Sequence, residues 1–157
     1  METRFDMFGS ELMTRFFRRF NGASQVATES ALPKTVQELV RIRASQINGC
    51  GYCTDMHTKD ALAAGETQLR LHLVAAWRDA TVFTEAERAA LALAEEGTRL
   101  ADGATGVSDE TWRAARKHFD DEQVAALIAV IAVINAWNRL NVISGTPAGG
   151  YEPGQFA

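Results

Sequence analysis

Proline and cysteine are scarce in this 157-residue chain, with three of the first and two of the second. The prolines, Pro33, Pro147 and Pro153, all lie near the ends, so 113 consecutive residues between the first two lack the strongest helix breaker. Long apolar runs are absent too. The longest, residues 124–134, has 11 residues where a membrane-crossing helix needs roughly 18 or more, and it reads as a buried helix. Basic residues are in deficit, 16 Lys and Arg against 20 Asp and Glu for a net charge of -4. That balance weighs against a nucleic-acid backbone as partner, because phosphate neutralisation needs a basic surface. No export signal is expected, since Glu2, Asp6 and Glu11 interrupt any apolar core around Phe5 and Phe8. The expectation is a cytoplasmic protein whose cysteines stay reduced, where a disulfide serves catalysis rather than structure. Alternating strand patterns are not seen.

What is present is helical and globular in character. Hydrophobic residues make up 46% and charged residues 23%, and alanine occurs 26 times. One domain of this length buries roughly two thirds of its unfolded surface, enough for a core without disulfide or metal. Phe5, Phe8, Leu12, Phe16 and Phe20 form a stripe on a first helix, residues 9–20, which suits a core helix or a subunit contact. A polar linker, Asn21 to Ser30, follows. Thr35 with Glu38 has capping-box spacing for a second helix from Pro33 to Ile47. A third runs from Cys50 to Gly65 and a short fourth from Thr67 to Trp77. Thr84 with Glu87 opens a fifth, with Ala86, Ala90, Leu93, Gly97 and Leu100 on its inner face. Ser108 caps a sixth that turns Trp112, Ala115 and Phe119 inward. Asp120 with Gln123 opens the last, reaching Ile143, whose apolar first half predicts a fully surrounded central helix. Its Asn135, Asn138 and Asn141 must find hydrogen-bond partners if buried. Residues 144–157, rich in glycine and proline, read as an extended or disordered arm.

The chemistry concentrates in Asn48-Gly49-Cys50-Gly51-Tyr52-Cys53-Thr54-Asp55-Met56-His57. Cysteines three apart in the first turn of a helix share a face and can close a small disulfide ring. The free N–H groups and the dipole there favour thiolate over thiol. His57, four residues after Cys53, falls on the same stripe, where an imidazole can take a thiol proton. Two other readings stand beside the redox dithiol: a pair of small buried residues, and a Cys2His zinc site. The zinc site has no evident fourth ligand, because His72 and His118 stand at no ligand spacing. Glu38 taken alone suits an ion pair with Arg41 or Arg43.

Glu38, eleven residues, then Cys50-x-x-Cys53-x-x-x-His57 resembles the signature of the AhpD-like alkylhydroperoxidases of the carboxymuconolactone decarboxylase superfamily. The resemblance runs from about Pro33 to Gly103 and takes in Ala76-Trp77 and the segment from Phe83 to Leu91. The stretch from Ile134 to Arg139 resembles the closing helix of the smaller members. It implies an all-α, single-domain orthogonal bundle with a core of about residues 33–143. The N-terminal helix and the arm would serve oligomer contacts in a trimer or hexamer.

The resemblance also implies a thiol-dependent peroxidase. Cys53 would reduce a hydroperoxide, Cys50 would resolve the product, and Glu38 with His57 would relay protons. Tyr52 stands where the best-known members have a histidine, and can donate a hydrogen bond but is a poor base at neutral pH. The helix dipole by itself favours Cys50 as the first nucleophile. No flavin, haem or nucleotide motif is visible, so no cofactor is expected and an external dithiol must return the electrons. The rival functions are a redox-sensing or structural oligomer without turnover, and a decarboxylase-type enzyme in which the cysteines are incidental.

Overall fold

The computed structural model describes residues 3–101 and 106–155, which leaves out the very ends of the chain and the residue at which the family resemblance stops. Those residues form seven α-helices and no strand. The helices are α1 (Glu11–Thr28), α2 (Lys34–Ile47), α3 (Gly51–Ala63), α4 (Gln68–Leu73), α5 (Glu85–Thr98), α6 (Asp109–His118) and α7 (Asp121–Ser144), with a 3-10 turn at Val74–Ala76. The proline-free stretch accommodates six of the seven.

Local capping sets most helix starts. Thr84 and Glu87 close a reciprocal capping box on α5, and Asp120 and Gln123 do the same on α7. Ser10, Thr67 and Ser108 cap α1, α4 and α6 with side-chain oxygens. The expected box at Thr35 is not formed. Pro33 is the N-cap of α2 without a side-chain bond, and Glu38 turns away to Arg41 and His57. The expected linker of residues 21–30 is also corrected, because α1 continues through Asn21 and Gly22 to Thr28. Tertiary contacts override that weak local sequence: Phe17 stacks on Trp137 at 5.5 Å, and the Trp137 indole donates to Ser24 Oγ at 3.0 Å.

Helix α2 joins three apolar clusters. Val36 and Val40 pack with α5, α6 and α7 around Ala90, Leu93, Ala115, Leu127 and Val130. Leu39 and Ile42 face a second cluster with Leu71, Val74, Trp77, Phe83 and Leu91. Ala44 belongs to a third, small one with Cys50, Cys53 and Ile134. This makes α2, against α3, α5 and α7, the more enclosed helix. Helix α7 has the length and hydropathy of a membrane span, yet it packs on α1, α2, α3, α5 and α6 and turns Asn135, Asn138 and Asn141 inward. It is not surrounded on every side, since Ile128 and Ile143 are exposed.

Two other inward assignments are corrected. Trp112 lies on the outer side of α6 while Ala115 and Phe119 are buried, and Leu100 is exposed beyond the end of α5. Most of the aromatic stripe that leads into α1 faces outward as well, while its last member, Phe20, packs on Trp137 at 4.9 Å. Phe5, Phe8, Leu12 and Phe16 are exposed, and the buried ring is Phe17, one position off the stripe.

The described part of the arm is ordered against α3. Lys59 Nζ donates to the carbonyls of Gly149 and Tyr151, Asp55 accepts the Gly149 N–H at 2.8 Å, and the Tyr151 hydroxyl donates to Asp60 at 3.0 Å. Tyr151 is buried, and burial with the Asp60 carboxylate pushes its phenol up to about 12. Ala148 lies so close over Gly51 that a Cβ there would sit 3.3 Å from it, which favours glycine at position 51.

Candidate active site

The connection between α2 and α3 builds the site from backbone geometry. Gly49 takes a left-handed φ of 65° just past the end of α2. The Gly49 N–H then bonds to the Gln46 carbonyl at 3.3 Å, and the Cys50 N–H to the Ser45 carbonyl at 2.9 Å. This double closure is a Schellman motif, and it hands the chain directly into the next helix. Cys50 therefore closes the end of α2 through its N–H and is itself the N-cap of α3.

A sulfur thus occupies the place usually held by a serine or aspartate oxygen. Cys50 Sγ accepts the Cys53 backbone N–H at 3.4 Å. An acceptor at the positive end of a helix is better as an anion than as a thiol. Both cysteines are free and buried. The Cys53 thiol donates to Cys50, and the Cys53 and Tyr52 N–H groups and the Asn138 amide add to it. Together they outweigh burial and hold the Cys50 thiol down at about 7. Donating that hydrogen bond pushes the Cys53 thiol far up, with burial and the Cys50 charge adding to the effect, while the Asn138 and Asn141 amides oppose it. Of the two, Cys50 is the more readily ionised and Cys53 the one that holds its proton more tightly.

Glu38 and His57 do come together across α2 and α3. His57 Nδ1 lies 2.8 Å from Glu38 Oε2, and Arg41 Nη1 lies 2.5 Å from Oε1. Burial alone would raise the Glu38 carboxyl, but the hydrogen bonds and charges of His57 and Arg41 hold it below its ordinary range. A carboxylate can only accept, so Nδ1 of His57 carries a proton toward Glu38 and Nε2 is the ring position left for a second partner. Among the described residues no hydrogen bond joins His57 to either sulfur. Glu38 therefore makes both partnerships anticipated for it, the ion pair with Arg41 and the contact with His57.

Tyr52 packs against the small cluster of Ala44, Cys50, Cys53 and Ile134. Burial raises its phenol, with the negative charge of the dithiol and of Asp55 adding to the effect, so it stays neutral and a donor. Sequence reasoning missed the polar wall behind the dithiol. Asn48 Nδ2 donates to Asn135 Oδ1 and Asn138 Oδ1, both at 2.9 Å, and Asn138 Nδ2 donates to Ser45 Oγ at 3.0 Å. Asn141 Nδ2 reaches Cys53 Sγ at 3.5 Å. The three-residue spacing on an apolar helix signalled buried amides, but not that their target was sulfur. Among the described residues no three His, Cys, Asp or Glu side chains converge as metal ligands.

An all-helical bundle that buries a Cys-x-x-Cys pair at a helix start, backed by a Glu–His couple, defines a protein of the AhpD-like class. The chain belongs to the carboxymuconolactone decarboxylase family, whose model matches residues 11–96. It is 40% identical to the uncharacterized protein YdfG of Bacillus subtilis over 120 residues, 76% of this chain and 80% of that one. It is 30% identical to the uncharacterized YnjA of Escherichia coli over 121 residues, 77% of this chain and 65% of that one. Among solved structures it is similar to ATU0492 from Agrobacterium tumefaciens, of unknown function, for which an AhpD role in antioxidant defence has been suggested. That likeness has a TM-score of 0.88 and 31% identity, and covers 96% of this chain and all of the other. The debrominase Bmp8 shares the fold at 18% identity and a TM-score of 0.78, over 87% of this chain and 72% of its own.

Proposed function

We propose that this protein is a thiol-dependent peroxidase, a dithiol–disulfide oxidoreductase that reduces hydroperoxides with Cys50 and Cys53. The observation that carries this reading is the place of Cys50 at a helix N-cap beside a second buried cysteine. Cys50 sits at a helix N-cap with its Sγ 3.4 Å from the Cys53 N–H, and the Cys53 thiol donates to it. A nucleophile near 7 is ionised in large part at neutral pH, without being so stabilised that it stops attacking.

In the first step the Cys50 thiolate attacks the terminal peroxide oxygen and the O–O bond breaks. Cys50 becomes a sulfenic acid, and the released alkoxide takes a proton from water to leave as an alcohol. In the second step the Cys53 thiol gives its proton to His57 Nε2 through a water or the substrate's own oxygen. The Cys53 thiolate attacks the Cys50 sulfur, and hydroxide leaves with the proton that His57 returns, as water. An external dithiol then reduces the disulfide by exchange. This order, Cys50 first, reverses the one that the family resemblance implies, and it is favoured by the N-cap geometry.

The test is consumption of hydrogen peroxide and an organic hydroperoxide in the presence of excess dithiol. Many turnovers per protein are expected. Consumption that stops at one equivalent points instead to a sensor, and none at all to a role in which the cysteines are incidental.

We also propose that the protein self-associates through α1. Support comes from the exposed stripe, with Phe8 78%, Leu12 70% and Phe16 43% accessible, too apolar to be left in water. Light scattering should give a mass above that of a dimer, and Phe8→Glu with Phe16→Glu should lower it. A monomeric parent protein would remove this reading and leave the dithiol chemistry untouched.

A further inference from the structure

Helix α7 brings to the dithiol a residue with no part in the steps above. Asn141 is buried, and its Nδ2 lies 3.0 Å from the Trp137 carbonyl oxygen and 3.5 Å from Cys53 Sγ. A carbonyl oxygen only accepts, so the Trp137 contact fixes the amide with its nitrogen toward both partners. One N–H holds the helix backbone and the other is aimed at the sulfur. One turn back, Asn138 is locked between Ser45 and Asn48, which keeps this stretch of α7 in register with the α2–α3 connection.

We propose that Asn141 is a catalytic residue of the second half of the cycle, its amide N–H carrying the negative charge that Cys53 Sγ takes on as it attacks oxidised Cys50. The proposal rests on the dithiol reading given above. At rest the need for such a donor is hidden, because Cys53 keeps its proton as the donor to the Cys50 thiolate. Once Cys50 is a sulfenic acid, its negative charge is gone, and with it the chief reason for Cys53 to stay protonated. The Asn138 and Asn141 amides of α7 both favour the Cys53 thiolate, Asn141 from 3.5 Å. The step then balances: the Cys53 S–H bond loses its proton, an S–S bond forms, the Cys50 S–OH bond breaks, and hydroxide departs with that proton as water. The sulfenic acid is reduced and the Cys53 thiol oxidised, so no further reagent is required.

The experiment is an ultraviolet titration of the Cys53 thiolate in the Cys50→Ser protein, where position 50 is neutral as it is after oxidation. Adding Asn141→Ala should raise the midpoint by about one pH unit or more, the size of one hydrogen bond to a charged group. Asn141→Asp keeps the shape but replaces the donor with an acceptor, and should raise it further. In the protein with both cysteines, either Asn141 change should slow disulfide formation after a peroxide pulse by about tenfold or more. A folded Ala or Asp variant that titrates as its parent overturns the proposal, and the Asp variant serves if Ala does not fold. Because the titration needs no peroxide, a shifted midpoint without peroxide consumption would keep the donor and discard the peroxidase reading.

Discussion

Replacing Cys50 with serine should lower the rate of reaction with hydroperoxide by roughly a thousandfold or more, as removal of a covalent nucleophile does. Cys53→Ser should instead react once and stop, with a trappable sulfenic acid on Cys50 and no disulfide. The pH dependence carries more information. A thiol loses its proton as pH rises, so the wild-type rate should climb through about pH 7, the value at which Cys50 is held, and level off above it. The largest contribution to that value is the hydrogen bond donated by Cys53. Cys53→Ala deletes the donor, and the midpoint should move up toward the ordinary thiol value of about 8.5. Cys53→Ser keeps an O–H in its place and should move it less. Stopped-flow oxidation from about pH 5 to about pH 10, with mass analysis of the trapped cysteine, checks all of this. The opposite pattern, with Cys53 trapped in Cys50→Ser and little reaction in Cys53→Ser, would restore the order implied by the family and make the resting thiolate a bystander.

What was legible in the sequence was what depends on residues close along the chain. The boxes at Thr84–Glu87 and Asp120–Gln123 formed because each cap satisfies its own first turn, whatever packs around it. The placement of Cys50 at a helix start followed from Asn48-Gly49 for the same reason. The misreadings share a different origin. Thr35–Glu38 has the spacing of a cap, but Glu38 is drawn across to His57, 19 residues on, and to Arg41. Residues 21–28 look like a linker, but Trp137 on α7 holds them helical through Ser24. The bonds from Asn48 to α7 bridge 87 and 90 residues, and the bond from Asn141 to Cys53 bridges 88. No local pattern encodes such pairs. The arm misled in the same way, since its glycines suggest disorder while Asp55, Lys59 and Asp60, one face of α3, bind its backbone and Tyr151.

The second large effect should come from the Glu38–His57 couple, and the contact with Arg41 decides its form. His57→Phe keeps the ring volume but removes the base, and turnover should fall on the order of a hundredfold to ten-thousandfold. The loss should sit in disulfide formation, so the Cys50 sulfenic acid accumulates after a peroxide pulse. By shape and hydrogen-bonding capacity alone, Glu38→Gln is the milder change. Yet Arg41 can only donate, so it will hold the amide oxygen and leave the NH2 group facing His57 Nδ1. That nitrogen must then accept, which moves the ring proton to Nε2 and removes the free base. Glu38→Gln should therefore lose nearly as much as His57→Phe, as happens when the orienting carboxylate of a catalytic triad becomes an amide. Stability gives an independent check with its own sign. Glu38 is held below its ordinary value in the folded protein. Its contribution is present in full above the unfolded carboxylate value near 4.3 and is lost as pH falls through the lowered folded value. Chemical denaturation should accordingly find Glu38→Gln weaker than wild type at pH 7, with the gap closing as the medium becomes acid. If the variant is weaker by denaturation but forms the disulfide at the wild-type rate, Glu38 is an ion-pair partner of Arg41 and His57 works unaided. Normal disulfide formation in both variants from about pH 6 to about pH 9 would remove the relay altogether and leave a dithiol at a helix start.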